Sequence, residues 1–162
     1  MTRRVSSLVL VLWLIQISPC FASQEEDTAG SIRRVAHSLD EMLDLNKREI
    51  VQFGSGNKKT RVKAKPLNRR SLVPVLSFIL NMDQPMLEKA FIEKKMDLSA
   101  IIFARHISDK KNQPFENFVV QKTFDEWMAD LKAAEVPLKQ VQESLDHVYM
   151  EVSFRALDER MK

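Results

Sequence analysis

Three glycines and a single cysteine are all that these 162 residues contain of either type. Gly30, Gly54 and Gly56 lie before residue 57, and from there to Lys162 proline alone punctuates the chain. That scarcity disfavours strands joined by glycine turns and favours helices with short connections. No Asn-x-Ser/Thr triplet occurs, so no N-linked glycan is expected. No run is long enough to cross a bilayer, which takes about 20 apolar residues. Enzymatic signatures are missing as well. There is no glycine-rich phosphate loop, no G-x-S-x-G elbow and no H-E-x-x-H. His37, His106 and His147 stand apart, none with a second histidine or cysteine at metal spacing. Each reads as a surface or boundary residue. The acid pairs Asp40/Glu41 and Asp125/Glu126 suit helix starts or exposed faces, where a carboxylate favours the dipole. A non-enzyme without metal, cofactor or small-molecule substrate is the expectation.

What is present begins with "MTRRVSSLVLVLWLIQISPCFASQEED". Arg3 and Arg4 form a short positive region, Leu8 to Ile15 is an unbroken apolar run, and Pro19 is placed to break a helix. Cys20 and Ala22 are small residues at the −3 and −1 positions of a cleavage site between Ala22 and Ser23. This is the anatomy of a secretory signal peptide over residues 1–22. Its removal takes away the only cysteine, excluding thiol catalysis, zinc-thiolate sites and intramolecular disulfides. Small secreted domains usually rely on disulfides, so the mature chain either has a sufficient core or works where disulfides would be reduced. Removal of Arg3 and Arg4, with no acid, lowers the formal charge from +3 to +1.

Against that near balance, "NKKTRVKAKPLNRRS" over residues 57–71 carries seven basic residues and no acid. They are Lys58, Lys59, Arg61, Lys63, Lys65, Arg69 and Arg70. With Gly54 and Gly56 just before it and Pro66 within it, "GSGNKKTRVKAKPLNRR" reads as a linker. Three readings of the charge stand side by side: a solvated linker, a nuclear-import signal that fits an acidic receptor groove, or an attraction to anionic phospholipid or nucleic acid. Dibasic pairs recur at Arg33-Arg34, Lys58-Lys59 and Arg69-Arg70, which admits an alternative: a secreted regulatory precursor cut at those pairs.

Ahead of it, "SIRRVAHSLDEMLDLNKREIVQF" is a candidate helix capped by Ser31, with Ile32, Val35, Leu39, Met42 and Ile50 at near-helical spacing. Its stripe is thin, so residues 23–71 read as a polar and basic arm. Beyond it, residues 72–162 read as the domain. Ser71 is expected to cap "LVPVLSFILNM", apolar on nearly all sides and so assigned to the centre. Asp83 and Asp97 are expected to cap the next two helices, which bury Met86, Leu87, Ala90 and Phe91, then Leu98, Ile101, Ile102 and Ile107. Pro85 suits a first helical turn. "QPFENFVVQ" supplies Phe115, Phe118 and Val119. Thr123 and Glu126 have the spacing of a capping box. Leu138, Val141, Leu145, Val148 and Val152 make a heptad seam, suited to packing within a bundle or between chains. No strand shows convincing alternation. The fold class expected is an all-α small helical bundle preceded by a disordered or partly helical basic segment.

A signal peptide, a basic N-terminal part and a cysteine-free helical domain together resemble the secreted effectors of oomycete plant pathogens. Their common module is the WY fold, a small helical bundle. "FDEWMADLKAAEVPLKQVQESL" is similar to the tryptophan-bearing part of that module. The resemblance places Phe124 and Trp127 in the core, has Pro137 open the next helix, packs Val141 and Leu145 back on Trp127, and assigns Tyr149 as the module's tyrosine. The family's Arg-x-Leu-Arg motif does not occur, "NRRSL" being the nearest echo. The resemblance implies a protein that is secreted, enters a host cell, goes to its nucleus, and dampens defence or cell death by binding host proteins. In that setting the basic segment is the address, read by an import receptor, or a contact with anionic phospholipid.

Overall fold

The computed structural model describes the backbone of Ser18–Leu43, Glu49–Phe53, Lys59–Lys63 and residues 68–161, and the side chains of residues 27–43 and 68–156. Among these residues the chain is an all-α bundle carrying one two-stranded ribbon. The elements are α1 (Ser18–Leu43), β1 (Glu49–Phe53), β2 (Lys59–Lys63), α2 (Arg69–Ile79), α3 (Gln84–Glu88), α4 (Leu98–Lys111), α5 (Phe124–Ala133) and α6 (Leu138–Met161). α3 widens into a π-helical turn at Lys89–Glu93, and a 3-10 turn, Phe115–Phe118, links α4 to α5.

Two heptads meet to pack α1 against α6. Ile32, Ala36, Leu39 and Leu43 of α1 are buried, and so are Val141, Leu145, Val148 and Val152 of α6. Both sets advance in steps of four, three and four, so each residue of one set lies 109 positions from its counterpart. Gln142 donates to Ser31 Oγ at 3.1 Å, and Ser153 Oγ lies 3.4 Å from Met42 Sδ. Both of these pairs are 111 residues apart, so α1 and α6 run parallel in constant register. The heptad seam of α6 thus finds its partner inside the chain.

This packing corrects the division at residue 72. Residues 32–43 belong to the same core as the later helices and are no mobile arm. Ser31 is interior to α1, Ser18–Leu43, and not its cap. Ile50, assigned to the helical stripe, lies in β1.

α4 is the central helix. Leu98, Ile101, Ile102, Phe103, Ala104 and Ile107 are all essentially inaccessible. α2 was assigned that place from its composition, yet it buries Leu72, Val73 and Leu76 and leaves Phe78 87% exposed. It is capped by Asn68, whose side chain accepts from Arg70 N at 3.1 Å, and not by Ser71.

Helix ends share one device. Asn81, Lys95, Asn112 and Glu135 adopt left-handed backbone conformations at φ 48 to 54°. Three of them are followed by a buried apolar residue, Met82, Met96 or Val136. The amides of Met82, Gln113 and Val136 reach back to the carbonyls of Ser77, Ser108 and Leu131 at 3.0–3.1 Å. This is the Schellman pattern, in which a left-handed residue satisfies the last carbonyls of a helix. The chain achieves it without glycine.

The capping box opening α5 forms as the spacing implies. Glu126 N donates to Thr123 Oγ1 at 3.3 Å and Thr123 N donates to Glu126 Oε2 at 2.7 Å. Asp83 and Asp97 occupy N-cap positions, but their side chains make no cap hydrogen bond.

Candidate functional site

The segment read as a linker contains a strand. β1 pairs antiparallel with β2 in the register Glu49↔Lys63, Ile50↔Val62, Val51↔Arg61, Gln52↔Thr60 and Phe53↔Lys59. Residues alternate faces along a strand. One face of the ribbon therefore takes Lys59, Arg61 and Lys63 with Phe53, Val51 and Glu49, and the other takes Thr60, Val62, Gln52 and Ile50. The alternation that defines β2 is one of charge, "KTRVK", and not of hydrophobicity. Lys58 and Lys65, at either side of β2, lie outside the described residues, as does the join between β1 and β2.

Arg69 and Arg70 do not belong with these cations. Both sit in the first turn of α2. The Arg69 guanidinium lies 5.0 Å from the centre of the Phe91 ring and donates to the Phe91 carbonyl at 3.3 Å. It anchors α2 on the turn after α3. Arg70 is exposed.

The expected fold-defining residues belong to one hydrophobic core, with Phe124 and Tyr149 packed against it. Trp127 is 2% exposed, and its aromatic partner is Phe103 of α4, with centroids 6.3 Å apart. Phe124, half-buried, meets the same Phe103 edge-on at 6.0 Å. Lys122 lies over the Trp127 ring at 5.2 Å and pairs with Asp130. The Trp127 indole N–H is buried without an acceptor, so packing and the cation hold the ring. Val141 and Leu145 are fully buried on α6, in the seam facing α1, while Tyr149 is half-buried at the margin of the core. Ala22 and Ser23 are part of α1, with side chains outside those described.

Among the described residues three further polar pairs join distant helices, and sequence reading found none of them. Arg33 of α1 pairs with Asp125 of α5 and lies 4.5 Å over Phe124. Asp40 of α1 accepts from Ser99 N and Oγ at the start of α4. His106 Nε2 of α4 lies 2.9 Å from Ser144 Oγ of α6. Burial lowers the His106 pKa, keeping the ring neutral. A histidine within hydrogen-bond reach of a serine has the geometry of a base beside a nucleophile. Here the pair bridges two packed helices, and the grooves described next are lined by other residues.

A shallow groove of about 260 Å3 runs between the π-helical turn and the 3-10 turn, lined by Met86, Lys89, Lys94, Glu116 and Val119. Asp83, Gln84 and Pro85 extend it. On α6, Met150 and Phe154 are exposed one turn apart. Among the described residues no cluster of three histidine, cysteine, aspartate or glutamate side chains is placed to hold a metal ion, and no helix is long and apolar enough to cross a membrane. No family model, curated protein or solved structure matches this chain.

Proposed function

We propose that the chain is a secreted, non-catalytic interaction protein of the plant-pathogen effector kind. It enters a host cell, reaches the nucleus, and suppresses defence or cell death by binding host proteins through the bundle. The observation that carries this reading is the division of labour among its cations. Arg33 and Arg69 are spent on internal contacts, whereas Lys59, Arg61 and Lys63 fall on one face of a ribbon, where they can serve as an address. A cysteine-free core that packs α1 against α6 is suited to a protein that is exported and then works in a reducing cytosol or nucleus.

The test is localisation. Residues 23–162 are expressed in plant leaf cells, fused to a tag too large for passive passage through nuclear pores. A second version carries Lys59→Thr, Arg61→Thr and Lys63→Thr, which removes charge while retaining strand propensity. Nuclear signal in the parent and its loss in the variant support the address. Identical distributions overturn it.

The precursor reading fares less well on geometry. Arg33-Arg34 lies within α1 and Arg69-Arg70 within α2. Proteases prefer exposed, flexible segments, so cutting at either pair requires a packed helix to open. Mass spectrometry of secreted material decides between them: an intact chain beginning at Ser23 supports the effector, and fragments ending at the dibasic pairs support the precursor.

A further inference from the structure

Two carboxylates meet at the start of α4, and only one of them is used. Asp97 sits at the N-cap with extended backbone, φ −66° and ψ 146°, yet its side chain makes no cap hydrogen bond. An N-cap side chain ordinarily accepts from the amide two or three residues on. The nearer of these is Ser99 N, and it donates instead to Asp40 of α1 at 3.2 Å. Asp40 also accepts from Ser99 Oγ and from the Leu98 amide. The start of α4 therefore has two carboxylates able to cap it. One is local and idle, and the other is supplied by a helix 59 residues away.

From this redundancy we infer that the α1–α4 contact is a latch: Asp40 caps α4 while α1 is docked, and Asp97 takes over the Ser99 amide when α1 lifts as a unit of its own. Lifting then deprives the helix start of no acceptor, since the local carboxylate replaces the distant one. It bares the side of the α6 seam, Val141, Leu145, Val148 and Val152, that α1 covers.

The latch responds to pH because docking holds both carboxylates at one helix start. Burial raises the Asp40 pKa to about 6, and Asp97 adds to the rise. A lifted α1 returns Asp40 to water and to its ordinary 3.8. Docking is thus favoured by acid and weakens as pH rises, by about tenfold between pH 5 and 7. Other charged groups on the surrounding helices are paired or exposed. Asp125 of α5 pairs with Arg33, Glu151 of α6 pairs with Arg155, and His37 lies 3.4 Å from Glu41 on α1 itself. Asp146 and His147 of α6 are exposed. His106 of α4 faces Arg105, Asp109 and Ser144, none of them on α1. Its protonation bears on unfolding of the whole bundle and not on the lifting of α1. The latch is a property of the bundle and stands apart from secretion and import.

Hydrogen exchange of the full chain, read amide by amide at pH 5 and 7 and corrected for intrinsic rates, tests the latch. Amides of α1 are expected to exchange through a shallower opening than those of α4, with protection falling about tenfold from pH 5 to 7. Asp40→Asn keeps an acceptor for Ser99 and is expected to abolish that fall. Asp97→Ala leaves the docked cap in place but removes its substitute, so α1 protection at pH 5 is expected to rise about fivefold. Asp97→Asn retains a capping side chain, and at pH 5 it is expected to match the parent. Circular dichroism verifies that the helices remain in each variant. Amides of α1 that open only together with α4 at both pH values overturn the latch. A pH-dependent fall that persists in Asp40→Asn overturns it too, as does α1 protection left unchanged by Asp97→Ala.

Discussion

Asp40 of α1 caps α4 from outside, accepting from Ser99 N at 3.2 Å and from Ser99 Oγ at 2.5 Å. Asp97 holds the N-cap position of α4, but the carboxylate that meets the helix start comes from 59 residues away. Burial pushes the Asp40 pKa from 3.8 to about 6, against the hydrogen bonds from Ser99, with the nearby Asp97 carboxylate adding to the rise and the Leu98 N–H opposing it.

A carboxyl whose pKa is raised on folding makes stability depend on pH in a definite direction. The contribution is fully present below about pH 4, where Asp40 is protonated in both states. It is lost as pH rises toward 6 and the buried group ionises. The loss is about 2–3 kcal/mol. His106 works in the opposite direction: its lowered pKa costs stability as pH falls below its ordinary 6.5. The informative quantity is therefore the difference between parent and Asp40→Asn. Urea unfolding at pH 4 and 7 is expected to show the variant equal to the parent at the lower pH and more stable at the higher. A variant less stable at pH 7 would contradict this.

Leu39→Ala tests whether α1 is integral to the domain. Leu39 is fully buried in the seam with α6, and truncating such a leucine costs about 2–5 kcal/mol. An arm outside the core would register within about 0.5 kcal/mol. Equilibrium unfolding distinguishes the two.

Glu135→Gly and Lys95→Gly are expected to stabilise. Both residues hold φ near 54° at helix ends, a conformation that costs side chains other than asparagine and aspartate about 1 kcal/mol. Glycine relieves that cost but loses more entropy on folding, leaving a gain of about 0.5 kcal/mol each. Asn81→Gly and Asn112→Gly should be close to neutral. Thermal melts give the order directly, and destabilisation by Glu135→Gly would refute the assignment.

Local signals were legible in the sequence. The Thr123–Glu126 box forms because both partners lie within one turn, and the buried face of α4 follows from apolar residues close in sequence. The heptad of α6 was plain too, but nothing local identifies its partner. Ala36 and Leu43 complete the stripe of α1, and an alanine adds little apolar signal to a charged helix. Asp40 reads as a helix-start or exposed charge and Arg33 as half of a dibasic pair, because Ser99 and Asp125 are distant in sequence. The ribbon was missed for another reason. Its alternation is written in lysine and arginine, and a search for alternating hydrophobic residues passes over it.

The claim on which the functional account depends is that residues 59–63 form a strand with a fixed register. Paired cysteines test this most directly, in a chain with Cys20→Ser. Gln52→Cys with Thr60→Cys places two thiols at directly opposed positions, with Cα atoms about 4.5–5.5 Å apart, within disulfide range. Gln52→Cys with Arg61→Cys places them on opposite faces. The account predicts rapid, complete oxidation of the first pair and little of the second under mild oxidant. Equal rates for both pairs would mean a flexible linker and would contradict it.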